Sequence, residues 1–307
     1  MTTKSVTHLA GIITTAGWED NFKYPWHPCL MPVGRNYLAV EYAAMCAVYA
    51  GCDTIWIITE PHMQKILKKR LGDYIPDITN IQMDGKPNWD LKKEIPVFYV
   101  PIPDKYANKR DSYDWCMMAG ALIVDKVSHR ISKHVVPEKY LFVSPYLITP
   151  ELYFTRNRPA FTDPKQVEFR IKGVHSSPPP YFSYMPFTRS IEQIKELKKD
   201  FDNDLKEMYF NKLTIAQIKS NLKDKRLFIP LDDTECSVVE CKSSWEIYNW
   251  QDYVDYMAGF LAESINTPKS LSSARKWKRF TCEELRKENY TLKEYNDGTE
   301  EVESKIC

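Results

Sequence analysis

The sequence lacks the features that mark several large classes of protein. It has no long hydrophobic run: stretches such as Thr54–Thr59 fall far short of the roughly 20 residues that a helix needs to cross a bilayer, and the N-terminus has no signal-peptide core. It has no excess of either charge, because 42 Lys and Arg balance 41 Asp and Glu for a formal net charge of +1. The overall charge therefore favours neither a nucleic acid nor an acidic membrane as partner. We expect a cytoplasmic protein with no membrane partner.

The sequence also has no closely spaced cysteine pairs and only 10 glycines. The eight cysteines are scattered without a CxxC pair, which predicts free thiols rather than a zinc site or disulfides. The remaining composition, with 27% charged and 43% hydrophobic residues, is ordinary for a soluble enzyme. The 307 residues suffice for one large domain with an appendage. We predict an α/β domain over residues 1–265 and a C-terminal appendage over residues 266–307.

The first 150 residues contain a regular alternation of short apolar strands and amphipathic helices. This order is typical of a parallel sheet wound with crossover helices. Residues 151–187 are rich in proline, with short β-like pieces such as Val167–Ile171, and predict an irregular or antiparallel insertion. The predicted strands are Leu9–Thr15, Thr54–Thr59, Val97–Val100, Tyr140–Val143, Arg226–Ile229 and Ser237–Val239. The predicted helices are Asn36–Ala50, Pro61–Leu71, Tyr113–His129, Ile191–Phe210 and Asp252–Ile265.

The predicted topology narrows the search for a site before any motif does. In open sheets of this kind, ligands bind beyond the carboxyl ends of the strands. Four segments follow such ends and are the places to look for binding residues: Gly17–His27, Glu60–His62, Lys105–Ser112 and Ser144–Tyr146.

The order of short motifs in residues 8–60 is distinctive. IITTAG (Ile12–Gly17) is followed by CLMPVG (Cys29–Gly34) and then by a helix that ends in Ala-Gly, with a strand ending in Thr directly behind it (Asn36–Thr59). Near the end of the chain stands SSWEIYNWQDY (Ser243–Tyr253). In this order the motifs resemble the nucleotide-sugar pyrophosphorylases, also called sugar-phosphate nucleotidyltransferases.

This resemblance implies both a fold and a reaction. The fold would be a three-layer α/β structure of the nucleotide-diphospho-sugar transferase (GT-A-like) type, with a mainly parallel central sheet and an irregular β insertion. The reaction would join a nucleoside triphosphate to a sugar phosphate and release pyrophosphate, by in-line attack at the α-phosphorus. Mg²⁺ is the cofactor that the resemblance implies. The 19 Tyr and eight Trp would also suit the subunit interface of a homo-oligomer.

The sequence departs from the family pattern at the residues that carry the chemistry. The family loop reads Gly-x-Gly-Thr-Arg, in which glycines admit the phosphates and the Arg neutralises charge. Here the same stretch is Gly17-Trp18-Glu19-Asp20-Asn21, so Lys23, His27 or Arg35 would have to supply a cation. The family's metal-binding Gly-Asp after the fourth strand is replaced by Ser144-Pro145. A hydroxyl is a poor substitute for a carboxylate ligand of Mg²⁺.

The resemblance and the loop positions together give a set of candidate site residues. Nucleotide binding is assigned to Gly17, Trp18, Asn21, Asp111, Ser112 and Ser144, with Trp18 stacking on the base. Phosphate neutralisation and catalysis are assigned to Lys23 and His27. A clamp on phosphate or sugar is assigned to Arg156 and Arg158. Mg²⁺ binding is assigned to Asp232 and Asn249, with Glu246 as a less well aligned acid.

Most of these assignments have a structural alternative. Gly17 and Trp18 could form a tight turn with a packed indole, and His27 could be a structural loop histidine. Asp111 and Ser112 could only cap a helix. Asp232 could belong to a solvated turn.

Two rival functions stay open at the level of sequence. The first is a binding or regulatory protein that keeps the fold after losing the catalytic motifs. The second is a transferase that acts on another acceptor, such as a modified base in nucleic acid. For the second, the basic and aromatic segment Arg275–Phe280 (RKWKRF) would supply the nucleic-acid contact.

Overall fold

A computed structural model describes most of the α/β region of the chain. The described residues are 8–17, 27–34, 37–77, 94–102, 112–132, 135–171, 185–214, 217, 235–241, 244–247 and 249–258. The strands are β1 Leu9–Thr14, β2 Pro32–Gly34, β3 Tyr37–Leu38, β4 Thr54–Thr59, β5 Tyr74–Pro76, β6 Glu94–Pro101, β7 Lys139–Val143, β8 Leu147–Ile148, β9 Gln166–Ile171, β10 Phe187–Arg189, β11 Cys236–Cys241 and β12 Trp245–Glu246. The helices are α1 Ala39–Ala50, α2 Gln64–Leu71, α3 Tyr113–Ile131, α4 Glu151–Arg156, α5 Arg158–Thr162, α6 Ile191–Phe210 and α7 Trp250–Ala258.

The central sheet has eight strands in the order β11-β9-β10-β7-β1-β4-β6-β5. Its centre, β7-β1-β4-β6, is parallel throughout and consists of the four strands predicted for the first 150 residues. β5 pairs antiparallel with β6 at one edge. The predicted mixed α/β fold with a mainly parallel central sheet is therefore confirmed.

Helices α1 and α3 cover opposite faces of the sheet through close contacts at small residues. A Cβ placed on Gly11 of β1 would lie 3.0 Å from the Cβ of Ala47 in α1. A Cβ placed on Gly120 of α3 would lie 2.5 Å from the side chain of Ile58 in β4. Gly11 pairs with Ile55, so Ile58, three residues further along β4, points to the opposite face of the sheet. The two helices therefore form the outer layers of a three-layer arrangement.

Helix α1 is rich in alanine and all of its residues are buried, because the sheet covers one side of it and the short helices α4 and α5 pack against it as well. It ends where Gly51 takes a φ of +90° and donates its N–H to the carbonyls of Ala47 and Val48. Glycine is the residue that most readily adopts this left-handed conformation, so Gly51 is a helix C-cap, as the sequence predicted.

The β-like piece expected at Val167–Ile171, in the irregular or antiparallel insertion, is present as β9, and the strands of this region extend the main sheet. After two short helices, α4 and α5, β9 runs parallel with β11, and β10 pairs antiparallel with both β9 and β7. A buried ion pair lies within this extension: Arg189 donates to Glu168 at 2.8 Å, and both side chains are about 5% exposed or less.

The first helix begins later than predicted. Residues 37–38 pair with residues 32–34 in a small hairpin, so the helix starts at Ala39 rather than Asn36. The next helix likewise starts at Gln64 rather than Pro61. The strand expected at Arg226–Ile229, the end of the helix expected to reach Ile265, and the segment Arg275–Phe280 lie outside the described residues. Across the residues that are described, no helix is long and apolar enough to cross a membrane.

A polar cluster joins α1 to the start of α4. The Tyr42 hydroxyl lies 3.0 Å from the Thr149 carbonyl and 3.0 Å from Glu151 Oε2. Burial raises the pKa of Glu151, while hydrogen bonds from its own backbone N–H and from Tyr42 act in the opposite direction. The folded protein therefore keeps this carboxyl protonated to a higher pH than the unfolded chain does.

We expect Glu151→Gln to stabilise the protein at neutral pH and to leave its stability unchanged in acid. Because the folded-state pKa is raised, the unfolded chain releases this proton first, and the free energy of unfolding of the wild type falls as the pH rises above the ordinary glutamate pKa. Glutamine carries no charge at any pH. Urea unfolding of both proteins between about pH 4 and pH 8 measures the effect. Glu196→Gln, at an exposed residue of α6, is the control, and parallel curves for wild type and Glu151→Gln would contradict the prediction.

Candidate functional site

The carboxyl ends of β1, β4 and β7 meet at one edge of the sheet, and the residues that follow them form the candidate site. The N–H groups of Thr15 and Ala16 both point to the Ile58 carbonyl, at 2.8 and 3.4 Å. These bonds hold the exit of β1 against the end of β4. On its other side, the exit of β1 accepts a hydrogen bond at the Thr15 carbonyl from the Tyr146 hydroxyl, at 3.3 Å. We call this region the carboxyl edge.

Gly17 and Ser112, two residues assigned to the nucleotide from sequence, lie in direct contact at this edge. Gly17 has a φ of +73°, and a Cβ on it would lie 2.7 Å from the Ser112 carbonyl oxygen and 2.9 Å from Cys116 Sγ. Ser112 is the N-cap of α3, and its hydroxyl accepts the Trp115 N–H at 3.3 Å. The turn after β1 is thus packed onto the first turn of a 19-residue helix.

This contact has electrostatic consequences. The N-terminus of a helix carries a partial positive charge and presents backbone N–H groups, and both attract anions such as phosphates. Gly17 has no room for a side chain, because the space that a Cβ would take is filled by the Ser112 carbonyl and Cys116 Sγ. Asp114 in the first turn of α3 offsets part of that positive potential. Among the described residues of the carboxyl edge, this helix start is the candidate position for a phosphate.

The floor of the site between β1 and β7 is made of hydroxyl groups and aromatic rings. Ser144 accepts the Tyr146 N–H at 3.1 Å, and the rings of Tyr113 and Tyr146 meet edge to face with centroids 6.0 Å apart. Burial raises the pKa of Tyr113 well above its usual range, and the neighbouring Ser144 hydroxyl acts in the opposite direction. Thr14, which is next to Ser144 in register, has a buried hydroxyl with no hydrogen-bond partner among the described residues. These floor residues carry no charge themselves, but the nearby Asp114 carboxylate also raises the pKa of Tyr113.

His27 lies near the end of β4 and contacts a carboxylate that sequence reasoning did not assign. Its Nδ1 accepts the Cys29 N–H at 3.2 Å at the start of a short 3-10 helix, and its Nε2 lies 3.5 Å from Glu60 Oε2. The Cys29 thiol is buried, and burial with the nearby Glu60 charge raises its pKa. Cys29 is thus not an activated nucleophile.

Asn249 caps a helix in the structure. Its side-chain oxygen accepts the Asp252 N–H at 3.0 Å, and its own N–H donates to the Asp252 carboxylate at 3.1 Å, at the start of α7. Glu246, the second acid considered from sequence, lies in β12 opposite Leu147, and the next residue along donates its N–H to the Tyr146 carbonyl at 2.9 Å. Glu246 therefore lies beside β8, the short strand that follows β7.

Arg158 lies at the opposite end of the sheet. Its guanidinium packs against Gly51, just before β4 begins, and its Nη2 is 4.0 Å from Asp77. Arg156 is exposed at the end of α4. The structure thus does not bring Arg158 to the carboxyl edge with Gly17 and Ser112.

Five of the assigned residues lie outside the described part of the chain: Trp18, Asn21, Lys23, Asp111 and Asp232. Sequence reasoning missed Glu60, Tyr113 and Tyr146. The topological rule marked the segments that contain Glu60 and Tyr146, but no motif singled either out. Tyr113 carried no signal, because a tyrosine in a helical pattern is read as a core residue.

The last helix of the described residues, α7, contacts the hairpin of β2 and β3. The Tyr253 hydroxyl donates to the Pro32 carbonyl at 2.7 Å, and the buried Tyr256 hydroxyl donates to the Val33 carbonyl. Because β12 is paired with β8, the segment 244–258 connects the exit of β7 to this hairpin. The segment 244–258 thus contacts both sides of the carboxyl edge.

Comparison with known proteins places the chain by fold. No family model matches the sequence, and no curated protein matches it either. Among solved structures, a protein assigned as a glucose-1-phosphate thymidylyltransferase from Bacillus anthracis, crystallised with sucrose, is 14% identical. That match covers 86% of this chain and 99% of the other, with a TM-score of 0.51. A CTP:phosphocholine cytidylyltransferase from Streptococcus pneumoniae is 12% identical, over 81% of this chain and 97% of the other, with a TM-score of 0.45.

At these identities the similarity shows the fold alone. The chain has a nucleotidyltransferase-like α/β fold, which confirms at that level the resemblance seen in the sequence motifs. Fold does not fix function, so the activity has to be argued from the carboxyl edge itself.

Proposed function

We propose that the protein binds a nucleoside triphosphate at the carboxyl edge and transfers its nucleotidyl group to a sugar phosphate, with release of pyrophosphate. The observation that carries this proposal is the contact between Gly17 and the N-terminus of α3. It places the turn after β1 directly beside a helix start, at the edge where ligands bind in open α/β sheets.

The chemistry proposed for this edge is mostly positional. Backbone N–H groups at the start of α3 hold the phosphates, so that a phosphate oxygen of the acceptor reaches the α-phosphorus in line with the leaving pyrophosphate. The buried rings of Tyr113 and Tyr146 exclude water from the floor of the site. We keep Lys23 as the proposed cation for the developing charge, and Trp18, Asn21 and Asp111 as proposed nucleotide contacts.

The residues described at this edge do not by themselves fit a Mg²⁺ site. No group of three His, Cys, Asp or Glu side chains within the described ranges could hold a metal ion. Ser144 stands where the family has a carboxylate, and Asn249 is engaged in a helix cap. Glu246 lies opposite Leu147 in the strand that follows β7, and Asp232 stays a proposed ligand. We therefore assign no step of the reaction to a metal.

The second candidate function is nucleotide binding without catalysis. Two observations favour it: the neutral Ser144 at the end of β7, and the tyrosine rings that occupy the space beside it. A binding or regulatory protein needs the phosphate-binding turn but needs neither a metal carboxylate nor an acceptor site. The two candidates therefore differ in turnover rather than in binding.

One pair of assays separates the candidates. Calorimetric titration with ATP, GTP, CTP and UTP, with and without Mg²⁺, measures binding, and pyrophosphate release is then followed with a panel of sugar 1-phosphates. Binding together with acceptor-dependent pyrophosphate release supports the transferase. Binding without release supports the binding protein. If no triphosphate binds, both candidates are wrong.

A further inference from the structure

His27 and Glu60 form a pair at the end of β4 that the proposed reaction does not yet use. The two side chains are partly open to solvent, at 15% and 28% exposure, with Nε2 and Oε2 3.5 Å apart. This separation is longer than a good hydrogen bond. Glu60 Oε2 is itself buried and has no hydrogen-bond partner among the described residues. The carboxylate therefore has unused capacity to accept hydrogen bonds.

The hydrogen bond at Nδ1 determines which ring nitrogen of His27 carries the proton. A backbone N–H always donates, so Nδ1 accepts from Cys29 and carries no proton. The remaining ring proton then sits on Nε2, which faces Glu60. This arrangement places the imidazole against a carboxylate, where it can orient that group, rather than against a phosphate site. Since Oε2 faces the imidazole, the exposed part of the side chain belongs to its other atoms.

The charge of Glu60 decides what it can bind. A carboxylate repels a phosphate and accepts hydrogen bonds from hydroxyl groups. Glu60 lies two residues beyond Ile58, whose carbonyl accepts the N–H groups of Thr15 and Ala16, directly before Gly17. The His27–Glu60 pair and the turn at Gly17 thus lie at the carboxyl ends of adjacent strands, β4 and β1. One ligand could place its phosphates at Gly17 and a polyhydroxyl group at Glu60.

We propose that Glu60, oriented by His27, accepts hydrogen bonds from sugar hydroxyls of the substrate. The inference rests on the proposed function, because it assumes that a phosphorylated sugar compound occupies the carboxyl edge. Vicinal hydroxyls occur both on the ribose of the nucleotide and on the sugar phosphate. Glu60 is then a specificity-determining residue, and His27 is a positioning residue that acts through it.

A cycle of paired changes in protein and ligand tests this role. Binding of ATP, GTP, CTP and UTP is compared with binding of their 2′-deoxy forms, for wild type and Glu60→Gln. Glucose 1-phosphate and 2-deoxyglucose 1-phosphate form the second arm. Hydrogen bonds to a charged group are among the stronger ones, so removal of the hydroxyl should weaken wild-type binding about tenfold or more in one arm. We call this loss of affinity on removal of the hydroxyl the hydroxyl penalty. In Glu60→Gln the hydroxyl penalty should shrink to roughly threefold or less, because the charge of the acceptor is gone.

Two further variants make the cycle specific. Glu94→Gln is the same substitution at an exposed residue at the opposite edge of the sheet, and it should leave the hydroxyl penalty unchanged. His27→Asn keeps a side-chain oxygen that can accept the Cys29 N–H but loses the contact to Glu60. Its hydroxyl penalty should fall between those of wild type and Glu60→Gln. A merely structural role would weaken ribo and deoxy ligands equally.

The outcomes separate this inference from the proposed function. A reduced penalty in the nucleotide arm supports the inference with ribose at Glu60, and a reduced penalty in the sugar-phosphate arm supports it with the acceptor there. If the ligands bind but the penalty is the same in wild type and Glu60→Gln, the inference is overturned and the proposed function stands. If none of the ligands binds wild type, both are overturned.

Discussion

Replacing Gly17 with alanine should destabilise the protein by about 3 kcal/mol and abolish triphosphate binding. The left-handed φ of +73° is costly for alanine, and the new Cβ would lie 2.7 Å from the Ser112 carbonyl oxygen, a backbone atom that cannot simply rotate away. Relief of this clash requires the turn and the start of α3 to separate. That movement would open the backbone surface on which the proposed phosphate site depends.

Urea unfolding and calorimetric titration measure the two effects of Gly17→Ala. Gly72→Ala is the matched control: Gly72 also has a positive φ, +80°, but the nearest atom to a new Cβ is 4.0 Å away. The control carries the conformational cost of alanine without the clash, and it should keep full triphosphate affinity. If Gly17→Ala binds a triphosphate as tightly as wild type, the turn is not part of the site.

The second large effect is expected from Arg189→Met, which should cost about 3 to 5 kcal/mol of folding stability. Arg189 is buried, donates to Glu168 at 2.8 Å and to the Thr188 carbonyl at 2.8 Å, and stacks 4.8 Å from the centre of the Phe187 ring. Its removal leaves the Glu168 carboxylate inside the sheet with Arg170 as the weaker contact, at 3.6 Å. The join between β9, β10 and β7 depends on this pair.

Chemical denaturation of three variants tests the cause of that loss. The double variant Glu168→Met/Arg189→Met removes both charges, so it should be more stable than Arg189→Met alone. Lys198→Met breaks the exposed i,i+4 pair with Asp202 on α6 and should cost less than about 0.5 kcal/mol. A double variant that is less stable than the single one would show that packing, rather than an unpaired charge, dominates at this position.

The centre of the fold could be predicted because its strands and helices are long enough to show a period. The strand TIWIIT at Thr54–Thr59 and the alanine-rich helix before it can each be recognised from their own residues. The hairpin of β2 and β3 could not be predicted, because strands of three and two residues show no periodicity. The sequence predicted the β-like piece that forms β9 but not that β9 and β10 extend the main sheet, because the pair of Glu168 and Arg189 joins residues 21 positions apart.

The candidate site was predictable only in part. The rule that ligands bind at strand carboxyl ends pointed to Gly17 and Ser112, which are 95 positions apart in the sequence and adjacent in the structure. The rule could not show that Arg158 packs against Gly51 at the other end of the sheet, because α4 and α5 carry the chain away from the carboxyl edge. Nor could it show that His27 faces Glu60, since that contact joins a loop and a strand exit with no shared motif.

The most direct measurement of the central claim is hydrogen exchange with and without a saturating nucleoside triphosphate. The carboxyl-edge site predicts slower exchange in peptides that contain Thr15–Gly17 and the first turn of α3, with no change at the opposite edge around Gly51 and Asp77. Binding that leaves the first two segments unprotected, or a protein that binds no triphosphate, would contradict it.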